Sequence, residues 1–268
     1  MNLGLNLSAS DEKVRRAREH LKSLDGELAA FRKDRYLYSY RVGEIDPDTG
    51  WADIWCIHKQ VPELCLGIVI GDIVHNLRCA MDYIVAELVE KSPGAVPYRR
   101  HQFPIQEKDV DYDADIGTGP VGNGQLRGVV YGLAEIRKLQ PFSKNKPFDT
   151  HPLWLVKRFC DADKHRIITT TIGTPKEGEV RFGEGVATDV EAYTINIAQP
   201  AANVDYKVGR ARFANSVPSN PNPDSFISVG LWFGTPPFDG KDGVAVPPAM
   251  FYGLCEEIKG VVEVFKAL

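Results

Sequence analysis

The stretch from residue 62 to 92, PELCLGIVIGDIVHNLRCAMDYIVAELVEKS, limits what this chain can fold into more than any other. Proline in the first turn, glutamate just inside it and Pro93-Gly94 past the end predict one long helix. It is apolar nearly all round, so it has to sit at the centre of a core with other elements packed on several sides.

Partners for it are visible on either side. Ser8 to Asp11 starts a capped helix over about 10–34, with Val14, Ala17, Leu21, Leu24, Leu28 and Phe31 on one stripe. Residues 125–142 predict a shorter helix stopped at Pro141, and HPLWLVKRFCDADKHR from 151 a third core helix opening on Pro152. The acidic, glycine-rich run 106–125 reads as an exposed loop. YLYSYRV and WADIWCIHK flank the turn-rich GEIDPDTG and predict a two-stranded ribbon at about 35–60. After Arg166 the pattern becomes alternating and β-branched, in RIITTTIGT, VRFGEG, EAYTINIA, VDYKVGRARFA and SFISVGLWFG, which predicts an antiparallel sheet of about five strands. An amphipathic helix closes the chain and can pack on that sheet or return to the helical half. Helices segregate from strands, so the fold class is α+β: a helical domain over 1–166 with its hairpin, then a sheet with a closing helix over 167–268.

Composition removes several function classes. A net charge of −4 provides no global basic field for coating nucleic acid. The start, MNLGLNLSASDEK, has neither the charged n-region nor the apolar h-region of a secretory signal, and no run reaches the roughly 18–20 apolar residues of a membrane span. A cytoplasmic protein without membrane contact is expected. The five cysteines, Cys56, Cys65, Cys79, Cys160 and Cys255, are odd in number and form no CxxC pair, so free thiols are expected rather than disulfides or a zinc knuckle.

Chemistry is suggested by polar residues on oily helices. Asp72, His75, Asn76, Cys79, Asp82, Tyr83 and Ala86 follow the three-and-four spacing of one helix face. Trp154, Arg158, Asp161 and His165 form a second such stripe, with Asp161 one turn before His165 and able to orient its imidazole. If the stripes face each other, they can be a buried network that fixes helix register without chemistry. Alternatively Asp72, His75, Asp161 and His165 resemble the carboxylate and histidine sets that helical bundles direct at a divalent ion, as in a metal-dependent hydrolase. The Glu-x-x-His pairs of di-iron proteins are absent.

In chain order, GDIVHNLRCAMDY at 71–83, FPI at 103–105, LQPF at 139–142 and DADKHR at 161–166 resemble a family of uncharacterised bacterial and phage proteins, and more distantly the HEPN helical ribonucleases with their Arg-x4-6-His motif. Tyr83 stands where that motif would place His after Arg78, and a phenol of pKa near 10 is a poor base at neutral pH. Arg158 and His165 give a second fit with six residues between, although Phe159 follows the Arg where the motif usually has a polar residue. The resemblance implies metal-independent RNA cleavage or nucleotide binding of a toxin or phage-defence type, without a cofactor. In it an arginine, Arg158 or Arg78, steadies phosphate charge while a histidine, His165 or His75, moves protons. Asp161 orients, and Asn76, Asp82, Lys164 and Arg166 bind substrate. A homodimer through the helical half is likewise implied. The contrasting expectation is a non-catalytic binding or assembly protein.

Other signals are weaker. GTGPVG at 117–122 matches GxGxxG in letters, but an acidic run precedes it instead of a buried strand. YRRH at 98–101, with Lys144 and Lys146, is a modest basic cluster that reads as a solvated face or as steering for RNA. WADIW, Trp154 and LWF at 231–233 read as core bulk rather than base-stacking platforms.

Overall fold

The computed structural model describes residues 3–33, 38–58, 64–116, 124–143, 150–165, 168–173, 187–192, 205–213, 230–235 and 244–268. Six helices and seven strands run in the order α1 (Ser8–Lys33), β1 (Tyr38–Ile45), β2 (Trp51–His58), α2 (Leu64–Lys91), α3 (Asp109–Ile116), α4 (Leu133–Lys138), α5 (Pro152–His165), β3 (Thr169–Gly173), β4 (Ala187–Ala192), β5 (Asp205–Phe213), β6 (Gly230–Thr235), β7 (Val244–Val246) and α6 (Ala249–Lys266) among the described residues. The class is α+β. The chain divides into two compact units, one of residues 1–24, 68–168 and 249–268, the other of 25–67 and 169–248.

The helical unit is built around α2. Ile70, Ile73, Val74, Leu77, Ala80, Met81, Ile84, Val85 and Leu88 are fully shielded from solvent. Each such aliphatic side chain contributes about 1.5–3 kcal/mol on burial. The stripe predicted on α1 is buried at Val14, Ala17, Leu21, Leu24 and Leu28, while the Phe31 side chain lies outside the described residues. The closing helix returns to this unit: Phe251 of α6 meets Phe159 of α5 edge-on at 5.4 Å, and Phe265 meets Phe103 at 6.2 Å. Lys266 pairs with Asp11 at 2.8 Å, and the amide of Leu3 donates to the carbonyl of Leu268.

Three local expectations are corrected here. The helix α2 is not enclosed all round, because Ile68, Asp72, His75, Tyr83, Ala86 and Glu90 form an exposed line at three-and-four spacing. The acidic run after Gln106 is not a bare loop: it forms α3, whose first-turn aspartates suit the positive end of the helix dipole. Arg137 bonds Asp109 and Asp113 and covers the ring of Tyr112, which is buried edge-on against Phe142. Finally, the helix expected over 125–142 shrinks to α4. Gly128 and Gly132 hold left-handed φ values of +75° and +71°, and a β-carbon on Gly132 would crowd Leu88 and Phe265 at about 3.1 Å. GTGPVG lies outside the described residues, as do VRFGEG and Arg166.

In the other unit the hairpin is no isolated ribbon. Its second strand also pairs with β5, giving a four-stranded antiparallel sheet in the order β1-β2-β5-β4, while β3-β6-β7 form a separate three-stranded sheet. A lone hairpin is marginal in water, and joining β5 gives β2 hydrogen-bonding partners along both edges. Ala52 and Ile54 face inward; Trp51 and Trp55 alternate with them on the half-buried face, each under an arginine, Arg210 at 4.6 Å and Arg41 at 5.4 Å.

A cationic cavity beside a clamped strand

Phe103 to Gln106 cross the helical unit as a non-helical strand of chain, and side chains from three elements answer its backbone. Arg78 on α2 donates to the carbonyl of Phe103 at 2.7 Å, and the amide of Phe103 donates to Asp82 at 2.8 Å. One turn apart on the helix, Arg78 and Asp82 also form an ion pair at 3.3 Å. Gln140, just past α4, donates through Nε2 to the carbonyl of Pro104 at 2.8 Å and accepts the amide of Gln106 at 2.9 Å. From α5, Lys157 donates to the carbonyl of Ile105 at 3.3 Å, and Trp154 Nε1 donates to Glu107 at 2.9 Å. Proline cannot donate, so the segment cannot complete a sheet ladder, and side chains supply the missing partners. The FPI, LQPF and HNLR motifs therefore meet at one place.

Against this clamp lies a cavity of about 170 Å³ lined by Arg78, Gln102, Ile105, Gln125, Lys157, Cys160, Asp161 and Lys164. Three of these residues, Arg78, Ile105 and Cys160, are buried. The rim of the cavity is polar, with Gln102, Gln125, Lys157 and Asp161 partly exposed and Lys164 exposed. On α5 the spacing of Lys157, Cys160, Asp161 and Lys164 is that of a single face. Lys164 and Asp161 approach to 3.8 Å with both side chains about half exposed, a loose pairing that contributes little to stability. Burial pushes the Cys160 thiol above its ordinary value, outweighing the nearby cations Lys164 and Arg78, so it is no thiolate nucleophile at neutral pH. Three cationic side chains against one carboxylate leave the wall net positive, which suits an anion.

The expected site residues divide. Arg78, Asp161 and Lys164 share the cavity wall, and Asp82 stands behind Arg78 in the clamp. Asn76 is buried, donating to the carbonyl of Asp72 at 2.8 Å and accepting from Lys13 at 3.2 Å. His75 is exposed on α2 with Nε2 3.5 Å from the Cys79 sulfur. Arg158 is on α5 but is not one of the residues lining the cavity. His165 closes α5, and its side chain lies outside the described residues.

Sequence reasoning missed Lys157, Gln102 and Gln125, quoted Gln140 only as part of LQPF, and gave Asp163 a structural part with Lys164 and Arg166 in capping the start of the sheet. Asp163 packs on α2 where Gly71 leaves room, since a β-carbon there would overlap its carboxylate. Burial first, then the charge of Asp72, raises its pKa above the ordinary carboxylate value, against the lowering influence of His75 and Lys164. Asp163 is thus an α5 carboxylate that senses Asp72 and His75. Among the described residues no three His, Cys, Asp or Glu side chains come within reach of a common metal ion, and no helix is long and apolar enough to cross a membrane. No family model, curated protein or solved structure matches the chain.

Proposed function

We propose that this chain binds a phosphate group of RNA or of a nucleotide in the cavity between α2 and α5, as a HEPN-like helical protein. The observation that carries the reading is that Arg78, Lys157 and Lys164 line one cavity together, against the single carboxylate of Asp161. A volume of about 170 Å³ is below the roughly 300 Å³ at which pockets for whole drug-sized ligands begin, so the phosphate enters while the sugar and base stay outside. Binding takes precedence over cleavage in this reading, because the described part of the wall offers lysines, a carboxylate and a protonated thiol but no imidazole. Metal-independent cleavage then depends on whether His165, one residue after Lys164 in the sequence, reaches the same phosphate. The homodimer, cytoplasmic location and defence role belong to the same proposal through the family resemblance.

Fluorescence anisotropy of a short labelled RNA tests it. Binding is expected to weaken at least tenfold in Lys157→Gln/Lys164→Gln, and any cleavage in excess EDTA to vanish in His165→Ala. Equal affinity of wild type and double variant would contradict the reading.

A second reading, a binding or assembly protein whose polar residues are structural, draws support from the clamp itself. Arg78, Asp82 and Gln140 are all engaged in holding Phe103 to Gln106. It predicts that the double lysine variant binds RNA as well as wild type does.

A further inference from the structure

From the shape of this cavity we infer that the phosphate it takes is a terminal monoester, the phosphorylated end of a nucleotide or RNA strand, and not a diester within the strand. The inference rests on the phosphate-binding reading and narrows it.

Of the lining residues, Arg78, Ile105 and Cys160 are buried, whereas Gln102, Gln125, Lys157 and Asp161 are partly exposed and Lys164 is exposed, so the space is shielded where Arg78 lies and reaches solvent beside Lys164. A diester carries a sugar on each of two ester oxygens. Seating it beside Arg78 would draw both sugars into about 170 Å³ already bounded by side chains. A monoester has a single ester link, which can point out to solvent, and three unesterified oxygens that can point inward. The wall carries three cationic side chains, Arg78 from α2 and Lys157 and Lys164 from α5, against the single carboxylate of Asp161; Arg78 and Lys157 each keep further donor hydrogens beyond those given to the Phe103 and Ile105 carbonyls. The monoester is also the more highly charged, carrying about −1.5 to −2 at neutral pH, which strengthens its attraction to that wall. Arg78 is held in place by its bonds to Phe103 and Asp82 before any ligand arrives, so its cost of ordering is already met by the fold.

Calorimetric titration of the full chain with two tetrauridylates decides the matter, one carrying a 5′-phosphate and one with hydroxyl groups at both ends. The phosphorylated strand is expected to bind at least tenfold more tightly, inorganic phosphate is expected to compete with it, and the preference is expected to disappear in Lys157→Gln/Lys164→Gln. The lysines lie at the rim, and a thermal melt of the variant establishes that it is folded. Equal affinity for both strands, with both weakened in the double variant, would overturn the monoester inference and leave the phosphate-binding reading standing. Absence of binding by either strand and by inorganic phosphate would overturn both.

Discussion

The clamp and the cavity share Arg78 and Lys157, yet they treat polar groups in opposite ways. Along Phe103 to Gln106, Arg78, Asp82 and Gln140 meet backbone partners at 2.7–2.9 Å, in a buried place where an unanswered donor or acceptor costs about 1–3 kcal/mol. Across the cavity, the pairing of Lys164 with Asp161 is 3.8 Å long and open to solvent. Saturated, short and buried is what polar groups look like when they hold a fold. A cation held as loosely as Lys164 beside a cavity that Arg78 and Lys157 also line is better explained by something that is to be bound there, since natural sites keep such groups at some expense to stability.

The largest effect should come from the saturated side. Gln140→Ala removes three side-chain hydrogen bonds and leaves the Pro104 carbonyl and Gln106 amide without their partner, which is expected to cost about 3 kcal/mol in chemical denaturation. A loss below about 1 kcal/mol would show that the clamp is replaceable by water. Gly71→Ala comes next, because its β-carbon meets the Asp163 carboxylate, and overpacking of that kind costs about 1–3 kcal/mol. Adding Asp163→Ala should restore most of the loss, and no restoration would mean that the clash is not with Asp163.

The cavity side predicts the reverse pattern. Lys157→Gln/Lys164→Gln should abolish phosphate binding at a stability cost of about 1 kcal/mol, that of the Lys157 bond to the Ile105 carbonyl, while Lys164→Gln alone should stay within about 0.5 kcal/mol of wild type. A stability loss comparable to that of Gln140→Ala would erase the distinction between the two regions. The smallest effect concerns pH. Asp163 holds its proton more firmly when folded than when unfolded, so native stability declines as pH rises from about 4 through the raised native value. Asp163→Asn removes that decline: the variant should equal wild type below pH 4 and exceed it at pH 7, by less than about 1 kcal/mol for so accessible a group. Thermal melts across pH 3–8 measure it, and a variant less stable than wild type at pH 7 would contradict the assignment.

Much of the helical framework was legible because helix periodicity is a local property. The stripe of α1 and the proline starts of α2 and α5 are written in adjacent residues, and their structural bounds lie close to the expected ones. Strand partnership is not local. Nothing in WADIWCIH tells β2 to pair with β5 more than 140 residues later, so the hairpin read as a separate ribbon. Two glycines at positive φ cut α4 short, and a sequence does not reveal which glycines will use that freedom. At the candidate site, Arg78, Asp161 and Lys164 were marked from motifs, whereas Lys157 and Gln140 were passed over because their partners are backbone atoms brought near only by folding. The question raised by polar residues on an oily helix has a divided answer. Arg78 and Asp82 hold a crossing strand, Asn76 braces α2 from within, and His75 faces outward.

The most direct test of the cavity is the melting temperature of wild type and Lys157→Gln/Lys164→Gln with and without a high concentration of adenosine 5′-monophosphate. A ligand that binds only the folded form stabilises by mass action, about 2.7 kcal/mol at a hundredfold excess over Kd, which for a chain of this size is several degrees. That rise is expected in wild type and not in the double variant, each compared with its own ligand-free melting temperature. An equal rise in both proteins, or none in wild type, would contradict phosphate binding in the cavity.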